Sequence, residues 1–214
     1  MPHALVIGAT GGIGGAIARA LAADHDLTLS GRDAQALGRL RRELGAARAV
    51  AADVAFELEV AALADDLPSV DLLVYAAGVA RPEPLSGGSD AAWSEQWRVN
   101  AFGLALVLKH LAPSLAQGAR VVAIGAQPQL AAARQMAGYA ASKAALDAVA
   151  RVAALELRRA KVSVHVVRPG AVATGLWAPL GGAPRGAMAP DEAARRIVAW
   201  LATPTLDDLT LDAP

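Results

Sequence analysis

The sequence predicts an α/β fold: a doubly wound parallel sheet of about seven strands, covered by helices on both faces in a three-layer αβα arrangement. Three observations carry this. Short apolar runs alternate with longer helical patterns along the whole chain. A glycine-rich turn joins the first apolar run to the first helix. No linker, repeat or low-complexity tract interrupts the alternation. Strand–helix alternation with right-handed crossovers yields a parallel sheet buried on both sides.

Taken in order, Ala4–Ala9 is the first strand and residues 13–23 the first helix. Asp26–Ser30 is a second strand and Asp33–Leu44 a polar helix. Arg48–Ala52 is a third strand, followed by a helix near 57–66. The strongly apolar Val70–Ala77 is the fourth strand, and one long helix is expected over 89–111, with Pro113 near its end. Arg120–Gly125 is the fifth strand, 137–159 another long helix and Val162–Arg168 the sixth strand. Pro190–Thr203 reads as the last helix and Leu209–Leu211 as a short edge strand. The Gly- and Pro-rich stretch 178–190 suggests a mobile, lid-like loop, extending from about residue 175. The whole of 1–214 is expected to be one domain.

Composition narrows the function. The 20 Lys plus Arg balance the 20 Asp plus Glu, so no charge excess points to nucleic acid or an anionic membrane. Arg39, Arg41 and Arg42 read as one solvated helix face. The absence of cysteine excludes disulfides and thiolate chemistry. His3, His25, His110 and His165 lack metal-ligand spacing, so no metal is expected. No apolar run reaches the roughly 18–20 residues that span a bilayer. The N-terminus enters a strand pattern without a basic leader, so a cytoplasmic location is expected.

The first strand runs into Gly8-Ala9-Thr10-Gly11-Gly12-Ile13-Gly14. Glycines there let the backbone turn sharply and approach a phosphate, which the N-terminus of the following helix attracts. The spacing Gly-x3-Gly-x-Gly differs from the commonest dinucleotide fingerprint. The alternative is a tight strand–helix turn with glycines required only for packing. The second strand ends at Ser30-Gly31-Arg32. An acidic residue there would bind the 2′-hydroxyl of NAD(H). Arg32 instead offers a planar fork for a 2′-phosphate, with the Ser30 hydroxyl beside it, so NADP(H) is expected over NAD(H). Asp53, after the third strand, is placed to accept from an adenine amine or to cap a helix. Ala76-Ala77-Gly78 offers small residues where backbone lies against a ribose, or simply packs.

Tyr139 and Lys143 lie four apart and share a helix face. An ammonium beside a phenol lowers its pKa from about 10 and makes a proton donor and acceptor for neutral pH. The bland alternatives are a half-buried tyrosine with a solvated lysine, or a Lys143–Asp147 pair.

The pieces in combination resemble the short-chain dehydrogenase/reductase family: Gly8-x3-Gly12-x-Gly14, Asp53-Val54, Ala77-Gly78, Val99-Asn100, Tyr139-x3-Lys143 with Ser142, and Arg168-Pro169-Gly170-x3-Thr174. The resemblance covers nearly the whole chain and implies a Rossmann-type fold with reversible hydride transfer between NADP(H) and a small carbonyl or alcohol substrate. It implies Tyr139 as acid/base, Lys143 as ribose ligand and tuner of Tyr139, and Asn100 as support for a water-linked proton relay. The expected cofactor contacts are Gly8, Thr10, Gly11, Gly12, Ile13, Gly14, Ser30, Arg32, Asp53, Val54, Ala77, Gly78, Tyr139, Lys143, Pro169, Gly170, Val172 and Thr174.

The sequence departs from the family pattern in places. Ala126 stands where the family carries a serine, thirteen residues before the tyrosine. Gln127, Gln129 and Gln135 are the nearby side chains that could donate instead. Ile7 replaces a threonine, and Tyr75-Ala76 replaces an asparagine pair. The chain lacks the family's glycine-rich tail, so a homodimer through helices 89–111 and 137–159 is expected, with a tetramer as the alternative. Trp93, Trp97 and Trp177 are candidate pocket residues, Trp177 the best placed. Ala126 also motivates a second reading: a cofactor-binding regulatory protein with little or no catalysis.

Overall fold

The computed structural model describes residues 1–46, 48–203 and 207–212. Seven parallel strands form one sheet in the order β3-β2-β1-β4-β5-β6-β7. They are β1 His3–Ile7, β2 Asp26–Gly31, β3 Arg48–Ala51, β4 Val70–Tyr75, β5 Leu115–Ile124, β6 Ser163–Pro169 and β7 Leu209–Leu211. The helices are α1 Gly12–Leu21, α2 Ala34–Leu44, α3 Glu57–Ala64, α4 Asp90–Trp97, α5 Gly103–Leu111, α6 Pro128–Ala131, α7 Ala137–Glu156 and α8 Pro190–Leu201.

Strand side chains alternate between two apolar layers, as period-2 geometry requires. Ala4 and Val6 of β1 pack with Ile17, Leu37 and Ile197, from α1, α2 and α8. Leu5 and Ile7 pack with Leu63, Leu104 and Leu146, from α3, α5 and α7. Both faces are therefore covered, and β1, most of β4 and the end of β5 read as continuous apolar runs. The strand order reverses at β1 and β4, so the crevice beyond their carboxyl ends is the ligand position of such a sheet. The helix ends follow local chemistry. Asp33 caps α2 by accepting from the Ala36 N–H at 2.9 Å, and Gly45 closes it in the left-handed conformation. Ser89 caps α4 by accepting from the Ala92 N–H.

Four elements differ from the sequence expectation. The strand expected at Ala4–Ala9 ends at Ile7, because Gly8 turns the chain and the N–H groups of Gly8 and Ala9 both donate to the Ser30 carbonyl. The helix expected over 89–111 is two helices joined by a π-helical turn, Arg98–Phe102. The fifth strand begins at Leu115, which pairs with Val70 across a register shift; exposed polar residues and a left-handed Gly118 hid this extension. The expected 178–190 loop holds a 3-10 turn at Gly175–Leu180 and is tied at its far end by a Val172–Met188 bridge. No helix among the described residues is long and apolar enough to cross a membrane.

Candidate active site

A cavity of about 710 Å³ opens beyond the carboxyl ends of the central strands. One end of it is the turn after β1. Gly8 has φ +81°, and a Cβ there would lie 2.6 Å from the Ala77 nitrogen. A Cβ on Gly14 would lie 2.2 Å from the Gly8 carbonyl oxygen, so the first turn of α1 folds directly onto the loop. Gly12 lies against Thr174, with a Cβ there only 2.5 Å from Thr174 Cγ2. Thr10, Gly11, Gly12 and Ile13 line the cavity, and so do Gly78, Pro169, Gly170, Val172 and Thr174. These stretches follow separate strand ends, and the fold brings them to one crevice. The close-approach glycines and the start of α1 make a cradle that fits a pyrophosphate.

At the tip of β2, Arg32 lines the cavity, and its guanidinium stands 3.9 Å from Asp53. Ser30 corrects one expectation. It is fully buried, its hydroxyl has no hydrogen-bond partner among the described residues, and it does not line the cavity. Ser30 serves the site through its carbonyl, which takes the two turn N–H groups. Asp53 accepts from the Ala55 N–H at 2.9 Å, a local turn-closing role. Val54 is buried in the core, and Ala77 packs at its margin. Neither lines the cavity; Ala76 and Gly78 do.

Another part of the cavity is built on α7. Tyr139 and Lys143 both line the cavity, with the Lys143 nitrogen 5.9 Å from the Tyr139 ring centre. Lys143 donates at 2.7 Å to the carbonyl of Ile124, the last residue of β5. Burial pushes Tyr139 up to about 12 and Lys143 down to about 8, the latter opposed by the charge of Asp147. This corrects the expectation of a depressed phenol: burial disfavours the charged phenolate and moves Tyr139 upward. The alternative Lys143–Asp147 pair is also not a contact, since Asp147 bonds Arg168 at 3.0 Å.

Asn100 sits in the π-helical turn, fully buried. Its Oδ1 accepts from the Val79 N–H at 2.8 Å, and its amide donates to the Val79 carbonyl and to Ser142 Oγ, each at 2.9 Å. Ser142 in turn donates to the Tyr139 carbonyl at 2.8 Å. Asn100 thus ties the loop after β4 to the turn of α7 that carries the tyrosine. The extra residue of a π-turn supplies this inward reach, a recurrent device at functional sites. Tyr75, outside the asparagine pattern, donates to the Val99 carbonyl at 2.5 Å and braces the same turn. Sequence reading missed this link; a tyrosine at the end of an apolar strand was its only trace.

Ala126 lines the cavity and, as alanine, brings only a methyl group to it. The neighbouring glutamines do not replace a hydroxyl. The Gln127 amide donates to the Leu211 carbonyl and the Asp212 carboxylate, both at 3.0 Å. Gln129 donates to Gln127, and Gln129 and Gln135 lie outside the cavity lining. Part of the wall is apolar: Leu130, Met136, Leu176, Trp177 and Leu180. Trp177 is held by donating to the Val172 carbonyl at 2.7 Å. Trp93 and Trp97 lie instead along a depression between α4 and α7. Among the described residues no cluster of His, Asp and Glu could hold a metal.

Comparison with known proteins shows the family and the fold. Residues 2–183 match the model of the family described as short chain dehydrogenase. D-threitol dehydrogenase of Mycolicibacterium smegmatis is 35% identical over 195 residues, 86% of this chain and 75% of its own. A short-chain oxidoreductase of Thermus thermophilus superposes with a TM-score of 0.88 at 46% identity, covering 95% of this chain and 97% of its own. A short chain dehydrogenase of Burkholderia cenocepacia, solved in complex with NADP, gives a TM-score of 0.88 at 26% identity, covering 99% and 96%.

Proposed function

The chain belongs to the short-chain dehydrogenase family, and on that premise we propose that it is an NADP(H)-dependent oxidoreductase that reduces a small carbonyl compound to an alcohol, or the reverse. The observation that carries this reading is the convergence of Tyr139, Lys143 and the glycine cradle on one cavity. The relatives named as dehydrogenases, and the neighbour solved with NADP, support it.

The residues present fit such a cofactor. Gly8, Gly12 and Gly14 leave the close approach a pyrophosphate needs, and Arg32 stands where a 2′-phosphate would meet a cation. Pro169, Gly170 and Thr174 would face the nicotinamide end. The bound dinucleotide supplies or takes up the hydride.

The chain's own groups do the rest. Tyr139 holds its proton at neutral pH, because burial raises its pKa, and so donates to a carbonyl oxygen as that oxygen gains charge. Lys143 keeps an ammonium beside the phenol, fixed by the Ile124 carbonyl. Asn100 and Ser142 are positioning residues that set the tyrosine-bearing turn against the loop after β4. Ala126 leaves Tyr139 as the side-chain donor to the substrate oxygen, which makes turnover slower rather than absent.

The second reading, binding without catalysis, is not favoured, since the tyrosine, lysine and positioning asparagine stand together. The assembly proposed is a homodimer. Trp97, Phe102 and Val152 on α4, the π-turn and α7 are about half exposed, and Phe56 lies beside them, an apolar face suited to a second copy. The test of function is NADPH oxidation by the purified protein over a panel of small ketones and aldehydes. Cofactor binding without turnover of any panel member contradicts the reading.

A further inference from the structure

We infer that the substrate carries an acidic group on its apolar body and that Arg134 receives it; this rests on the reductase reading and names its substrate class. The cavity is lined by the cations Arg32, Arg81, Lys143, Arg134 and by no carboxylate among the described residues. All but one of these are spoken for. Arg81 is neutralised by Glu95 through two hydrogen bonds of 2.8 and 2.9 Å. Lys143 is bonded to the Ile124 carbonyl beside the tyrosine. Arg32 stands at the opposite, cofactor end, 3.9 Å from Asp53. Arg134 has neither an ion-pair nor a hydrogen-bond partner among the described residues.

The local backbone fixes its place. Gln135 adopts a left-handed φ of +63°, which a side chain other than glycine disfavours. Two bonds hold that turn: the Glu83 N–H donates to the Gln135 carbonyl at 2.7 Å, and the Met136 N–H donates to the Ala133 carbonyl at 3.1 Å. The turn buries Met136 in the apolar wall and leaves Arg134 exposed at the cavity edge, five residues before Tyr139. A guanidinium there pairs with a carboxylate through two parallel hydrogen bonds. Leu130, Leu176 and Leu180 line the same cavity and offer apolar contact to the carbon skeleton.

The test uses matched pairs. Calorimetric titration with saturating NADP+ compares cyclohexanecarboxylate with the neutral, non-reacting cyclohexanecarboxamide, on wild type and Arg134→Gln. Wild type is expected to bind the carboxylate about tenfold more tightly, and the variant to lose that preference while its NADPH affinity is unchanged. In turnover, 4-oxocyclohexanecarboxylate is expected to exceed cyclohexanone about tenfold in kcat/KM, through KM, in wild type only. Equal binding of the two ligands by wild type, or a preference that survives in Arg134→Gln, overturns the inference. Reduction of both ketones with equal efficiency overturns the anion site and leaves the reductase reading standing. Arg134-dependent binding of the carboxylate with reduction of neither ketone does the opposite.

Discussion

The Lys143 ammonium is anchored to the Ile124 carbonyl at 2.7 Å, so the end of β5 sets where the charge beside Tyr139 stands. The position is fixed at the expense of hydration. Burial lowers Lys143 to about 8, which means the folded chain carries this charge under strain.

That strain has a sign. Between about pH 8 and 10.5 the folded chain has released the Lys143 proton while the unfolded chain still holds it. The unfolded state binds more protons there, so wild-type stability gains with rising pH across this window. Below about pH 8 the full desolvation penalty applies. Lys143→Met removes it and is expected to raise Tm at pH 7. The difference from wild type narrows between pH 8 and 10.5, as read by scanning calorimetry over pH.

Arg32 is expected to discriminate between cofactors. Arg32→Ala should weaken NADPH binding about tenfold or more and leave NADH binding within about twofold, because only NADPH carries the phosphate. Fluorescence titration of the two reduced cofactors measures both. Equal wild-type affinities would remove the case for NADP(H).

Ala126→Ser should restore a second donor to the substrate oxygen. Removing one such donor in other enzymes lowers kcat by about 10²–10³. A gain of about tenfold or more in kcat, with unchanged NADPH affinity, is expected from steady-state kinetics.

The half-exposed aromatic face predicts the assembly. Phe102→Glu should convert a dimer to a monomer in sedimentation analysis, since a charge buried there is unpaired.

The sheet was readable because its central strands are buried on both faces and appear as short apolar runs, as at residues 4–7, 72–75 and 121–124. The glycine turn was readable because only glycine fits at Gly8 and Gly14. Other features depend on tertiary contacts that leave no periodic mark. The π-turn carrying Asn100 looks like any helix in an 89–111 window. The inward direction of Ser30 follows from strand register: Ser30 pairs with Ile7, and both side chains are buried. The raised pKa of Tyr139 follows from burial, which sequence spacing to Lys143 does not report. Gln127 could be named as a donor from sequence, but its attachment to Leu211 joins segments far apart in the chain and had no local signal.

The central claim is that Tyr139 transfers the proton while the rest of the cavity binds the cofactor. Its most direct test is NADPH oxidation with a reducible ketone by wild type and Tyr139→Phe, beside NADPH titration of both. Wild type is expected to turn over, and the variant to lose about 10²–10⁴ in kcat with NADPH affinity within about twofold. Turnover that survives Tyr139→Phe unchanged would contradict the account.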